Sequence, residues 1–112
     1  MRITADKVRG IPVLVCQGAL TLGATDAFVD AYARVFDGGS TGLILDLSRL
    51  SYLDSAGVGA VVGCSTTGAA RGCVVKIVLA PDGPVPRIFH LTQLERAFEI
   101  FAGVEEAAAS FP

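Results

Sequence analysis

What this 112-residue chain holds little of narrows its function first. It has a single histidine, His90, set between Phe89 and Leu91. With no second histidine, no metal-ligand spacing and no paired acid–base set, catalysis is not expected. Its three cysteines are Cys16, Cys64 and Cys73. They match no zinc pattern, and an odd number argues against a disulfide framework. Their apolar surroundings mark them as small buried hydrophobes. Basic residues are few and scattered, from Arg2, Lys7 and Arg9 to Arg87 and Arg96, and the net charge is −2. No basic cluster or aromatic-interleaved stripe exists to follow a phosphate backbone, so nucleic acid is excluded as a partner and a protein is favoured. No apolar run approaches the roughly 20 residues that span a bilayer, so direct membrane insertion is not expected. The opening MRITADKVRG lacks the apolar stretch of a signal peptide, which leads to an expected cytoplasmic location.

What is present is a core. Hydrophobic residues make up 52% of the chain and charged ones 18%, far from the composition of a disordered segment. The length suits one domain over residues 1–112. The organising stretch is Leu43–Gly59, LILDLSRLSYLDSAGVG. The run LILDL barely alternates, as in a strand covered on both faces. Asp54 and Ser55 each suit a helix N-cap, because a short side-chain oxygen can accept from the free N–H groups of a first turn. From there Val58, Val61, Val62, Ser65 and Ala69 share one helical face. Gly57, Gly59 and Gly63 fall in the same helix. Each costs roughly 1 kcal/mol relative to alanine, which points to close approach by the sheet beneath or a partner above.

Before this stretch, Arg2 to Ala5 and Ile11 to Gln17 read as a hairpin around an Asp6–Gly10 turn, with Pro12 placing the second strand's start near an edge. A loop over Ala19–Thr25 leads to a helix through Phe36, stopped by Asp37-Gly38-Gly39-Ser40. After it, Cys73–Leu79 reads as a second covered strand, Val85–Leu91 as a short helix and Phe98–Phe101 as an edge strand. Gly103 opens a last short helix. The fold class is α/β, in the order β-β-α-β-α-β-α-β-α, with a mixed, mostly parallel sheet and packed helices.

Asp54-Ser55-Ala56-Gly57 followed by Val58-Gly59 and preceded by LILDLSRLSYL resembles the STAS family, the domain shared by sulfate transporters and bacterial anti-sigma factor antagonists. The element order matches that fold from first strand to last helix. In the antagonist branch the serine of this motif is phosphorylated by a partner that is both anti-sigma factor and serine kinase, and a phosphatase resets it. Carried over, the phosphorylation site is Ser55, with Asp54, Ala56, Gly57 and Gly59 around it on the partner-binding surface. The family's Gly-x-Leu-Asp reads here Gly18-Ala19-Leu20-Thr21, so Thr21 replaces the acid in a loop that helps form that surface. No cofactor is implied.

Two roles stay open for Asp46. It could satisfy backbone donors where the strand ends, or act functionally by helping to orient Ser55 or by contacting nucleotide in a kinase complex. Gly57, Gly59 and Gly63 miss the dinucleotide fingerprint by one residue and follow the strand too late for it. Ser55 lacks the leading glycine of a nucleophile elbow, since Leu53 stands there. Two functions are consistent with the resemblance. One is an antagonist switched off by phosphorylation of Ser55. The other is an unphosphorylated STAS subunit of a transporter ATPase or larger signalling assembly.

Overall fold

Apolar runs without alternation need cover on both sides, and the sheet at the centre of the molecule has it. The computed structural model describes residues 1–112. Strands β1 (Arg2–Val8), β2 (Ile11–Leu20), β3 (Gly42–Leu53), β4 (Val74–Val78) and β5 (Ile100–Phe101) line up in the order β1-β2-β3-β4-β5. The β1–β2 pair is antiparallel and the remaining pairs are parallel. Helices α1 (Thr25–Asp37), α2 (Ser55–Ala70) and α3 (Val85–Leu91) meet one face of the sheet, and α4 (Val104–Ala109) covers the other.

Alternate strand residues feed the two layers. Leu14, Leu45 and Ile77 join Phe28, Phe36, Val61 and Phe89 in the larger core. Val13, Ile44 and Val78 meet Ala107 and Ala108 beneath α4. Each fully buried Leu, Ile or Phe contributes about 2 kcal/mol of burial. Lys76 is the exception among the buried apolar residues of β4. Its Nζ donates to the Ser110 carbonyl at 3.2 Å and Oγ at 2.8 Å, and pairs with Glu99 at 2.9 Å. It lies 4.4 Å from the centre of the Phe111 ring, so the residues after α4 are tied to the sheet.

Several boundaries move from those expected. The turn between β1 and β2 is only Arg9-Gly10, both at positive φ (52° and 78°), so Asp6, Lys7 and Val8 belong to the strand. This is the backbone of a two-residue hairpin turn, tighter than the Asp6–Gly10 composition suggests. The β1 strand forms the edge and β2 is internal; Pro12 lies one residue before the β2–β3 ladder begins at Val13↔Ile44. Of Phe98–Phe101, only Ile100 and Phe101 pair with β4.

The largest change is in β3, which runs on to Leu53. From Val15↔Asp46 to Gln17↔Arg49, β3 advances one residue more than β2, and it does so again between Gly18↔Leu50 and Ala19↔Tyr52. These bulges interrupt the two-residue period. Leu47, Leu50 and Leu53 therefore all reach the core although they are three apart.

Candidate functional site at the start of helix α2

The last β2–β3 pair, Leu20↔Leu53, releases two chain segments side by side at one end of the sheet. One makes a 3-10 turn at Leu22–Ala24, and the other enters α2. Asp54 is the N-cap and Ser55 the first helical residue. The Asp54 carboxylate accepts from the Gly57 N–H at 2.9 Å and, through its other oxygen, from the Leu22 N–H at 3.1 Å. It thereby fastens the loop after β2 to the helix start. The Gly57 N–H foremost, and the Leu22 N–H after it, hold the Asp54 carboxyl below its ordinary pKa.

A carboxyl whose pKa falls on folding stabilises the fold above its unfolded value, about 4. That contribution is lost as pH falls through the lower folded value. Amide-exchange protection at Gly57 and Leu22 is therefore expected to decline in acid below about pH 4. Asp54→Asn should start with weaker protection and show little of this pH dependence. Equal acid sensitivity in the two proteins would remove Asp54 as the cause.

With the cap supplied by Asp54, the Ser55 side chain is exposed and its hydroxyl enters no hydrogen bond with the protein. It belongs to the first helical residue of α2, at the end where the helix dipole favours negative charge. Gly57 is buried, and a Cβ there would overlap the Leu20 carbonyl oxygen and meet the Leu53 Cβ at 3.0 Å. This contact seats the first turn on the end of the sheet. Gly68 plays a comparable part further on, against Cys73, Phe36 and Val75.

The buried stripe of α2 is Gly57, Val61, Cys64 and Gly68, not the expected Val58–Val61–Val62–Ser65–Ala69 face. The helix is turned so that Ser55, Gly59, Val62 and Thr66 form an exposed stripe. Gly59 has open space where a Cβ would lie, so its smallness serves the outer face, not the sheet. No residue of α2 is charged. Leu22 is 73% exposed and adds apolar surface on the adjoining loop.

The structure thus brings Thr21, Asp54, Ser55, Ala56, Gly57 and Gly59 to one end of the molecule. Thr21 sits half-buried in the loop, its carbonyl accepting from Ala24 at 2.8 Å. Asp46 is not among them. It lies within β3, and its Oδ1 accepts from the Ser48 N–H at 3.0 Å and Oγ at 2.6 Å. It satisfies a backbone donor, but within β3 at the bulge and not in a corner where the strand ends as expected, and it forms no hydrogen bond with Ser55; the strand's extension to Leu53 is what separates them. Leu22 was missed by sequence reasoning, because only its N–H takes part in the cap. His90 pairs with Glu95 at 2.7 Å. All three thiols are buried and free, and burial, helped by Asp46, pushes Cys16 up to about 12.

A family model described as STAS domain matches residues 2–107. The chain belongs to the STAS domain family. An anti-sigma factor antagonist from Bordetella bronchiseptica, BtrV, is 29% identical over 112 residues, 99% of this chain and 95% of its own. The crystal structure of an anti-sigma factor antagonist from Mycobacterium paratuberculosis superposes with a TM-score of 0.86 at 19% identity, over 97% of this chain and 92% of its own. SpoIIAA, an anti-sigma factor antagonist solved in its unphosphorylated form, superposes with a TM-score of 0.67 at 25% identity, over 96% and 94%. This STAS chain therefore shares its sheet order and helix placement with anti-sigma factor antagonists. None of its helices is long and apolar enough to cross a membrane.

Proposed function

We propose that this protein is an anti-sigma factor antagonist whose binding surface is the α2 start, and that phosphorylation of Ser55 switches it off. The observation that carries the reading is the exposed, unbonded Ser55 hydroxyl at the head of an uncharged helix face, with the cap already supplied by Asp54. The unmodified surface of Ser55, Ala56, Gly59, Val62 and Leu22 offers a partner small and apolar groups. The partner is an anti-sigma factor that is itself the serine kinase and brings its own ATP. In the cytoplasm, capture of that partner frees a sigma factor, phosphorylation releases it, and a phosphatase acting on phosphoserine restores the surface.

A phosphate on Ser55 adds about −1.5 to −2 charges. The Asp54 carboxylate, held ionised by its backbone donors, stands next to it and adds to the negative potential. The first-turn N–H groups and the helix dipole offset part of this repulsion, so the fold survives the modification. The switch is occlusion of a docking surface by bulk and charge, not refolding.

The test is the intact mass of wild type and Ser55→Ala after incubation with ATP and an anti-sigma factor kinase. One phosphate on wild type and none on the variant is the expected result. A stable complex that never transfers phosphate would instead favour an unphosphorylated STAS subunit of a transporter ATPase or larger assembly.

A further inference from the structure

The outer edge of β1 carries a pattern that the Ser55 face does not use. Val8 and Ile11 flank the two-residue Arg9-Gly10 turn and pair directly. A pair in that position exchanges both backbone hydrogen bonds, and such pairs alternate along an antiparallel ladder. Arg2, Thr4, Asp6 and Val8 therefore bond to β2, while the N–H and C=O groups of Ile3, Ala5 and Lys7 face outward. Lys7 agrees with this parity: its N–H donates to its neighbour's Asp6 Oδ1 at 2.8 Å. The outward groups of Ile3 and Ala5 are left to solvent on an edge strand seven residues long.

We propose that a second copy of this chain pairs antiparallel along β1, with Thr4 of both copies on the two-fold axis. In that register Ile3 of each copy faces Ala5 of the other, and the outward backbone groups of both residues are satisfied. Arg2 faces Asp6 of the second copy, and the two-fold repeats the pair. These are positions without mutual backbone bonds, where opposing side chains come closest. The neighbouring registers of the same parity lack this match. One sets Ile3 against Ile3 and Arg2 against Thr4; the other sets Ala5 against Ala5 and Arg2 against Val8. Charge complementarity thus selects one isologous arrangement.

The surroundings fit the same occupant. Between β1 and α1 lies an open groove of about 530 Å³, lined by Ile3, Ala5, Leu14 and Ala31 among others, with Asp30 and Arg34 also at its wall. Continuing the sheet across the axis sets this groove against its copy. Asp30 and Arg34, four apart on α1, are then presented to the same two residues running the opposite way. The result is one ten-stranded sheet with a Ser55 face on each half, so a bivalent partner gains avidity from two linked sites.

Sedimentation equilibrium on the full chain tests this. Wild type should show a monomer–dimer equilibrium. Arg2→Glu and Asp6→Arg, each placing like charges opposite one another twice, should each weaken dimerisation by about tenfold. An equimolar mixture of the two variants should associate again, because each supplies the charge the other needs. A folding defect cannot produce that rescue, and an unchanged far-ultraviolet circular dichroism spectrum of each variant checks the point. Thr4→Cys should form a disulfide-linked dimer on oxidation, since the native thiols are buried. A wild type that stays monomeric at its highest soluble concentration would overturn the proposal. So would single variants that dimerise as well as wild type, or a mixture that shows no rescue.

Discussion

Ser55→Glu is expected to weaken binding of the anti-sigma factor about 100-fold or more, equivalent to roughly 3 kcal/mol, while far-ultraviolet circular dichroism and melting stay close to wild type. The two halves of the prediction have separate causes. Binding suffers because the exposed face of α2 carries no charge of its own, so a carboxylate placed at its head must be desolvated without a partner. Folding survives because the new charge sits at the first helical position, at the positive end of the helix dipole, and Asp54 continues to cap. Ser55→Ala should bind as wild type does and resist the kinase. Titration calorimetry of the three proteins against one anti-sigma factor separates the outcomes. If glutamate bound as tightly as serine, occlusion would be the wrong mechanism, whatever the mass measurement says.

Gly57→Ala and Gly59→Ala should move stability in opposite directions although they lie two residues apart in one helix. At Gly57 the added methyl group overlaps the Leu20 carbonyl oxygen, which belongs to the β2 backbone and cannot swing aside. Overpacking against backbone should cost about 3 kcal/mol and lower the melting temperature by roughly 10–20 °C. At Gly59 the methyl enters open space, and replacing glycine inside a helix should add about 1 kcal/mol. The same Gly59→Ala change puts a methyl group on the outer stripe beside Ser55. A more stable protein that binds its partner more weakly is the expected pairing, and it would show that the small residues of α2 serve two faces for different reasons. Thermal melts and calorimetry on both variants decide it. A gain at both positions would mean that α2 does not rest on Leu20 as described.

Much of the architecture was legible in the chain. Strands such as Leu43–Leu47 and Cys73–Leu79 are apolar on consecutive positions because α1–α3 cover one face of the sheet and α4 the other, and that cover is written into local composition. The order of strands and helices followed from where the period changes and where Gly, Pro and Asp interrupt it. Asp54-Ser55 as a helix start was legible too, since capping is a local matter of a short acceptor before an apolar run.

The sequence alone could not decide between Asp54 and Ser55 as the cap. The two are adjacent and equally suited; Asp54 caps the Gly57 N–H and also holds the Leu22 N–H, 32 residues away along the chain and brought there by the β2–β3 pairing. Nor could it phase α2, whose small uncharged residues make every face of the helix acceptable to the core until Leu20 and Leu53 fix the side that must be glycine. Asp46 was displaced from the site because β3 stays paired with β2 as far as Leu53, across bulges that belong to a pair of strands and leave no periodic mark on one. Local propensity determined which elements form and that helix α2 starts at the Asp54-Ser55 pair. Strand register and backbone contact, which exist only between distant segments, decided which hydroxyl is free, which face is outward and which glycine is indispensable.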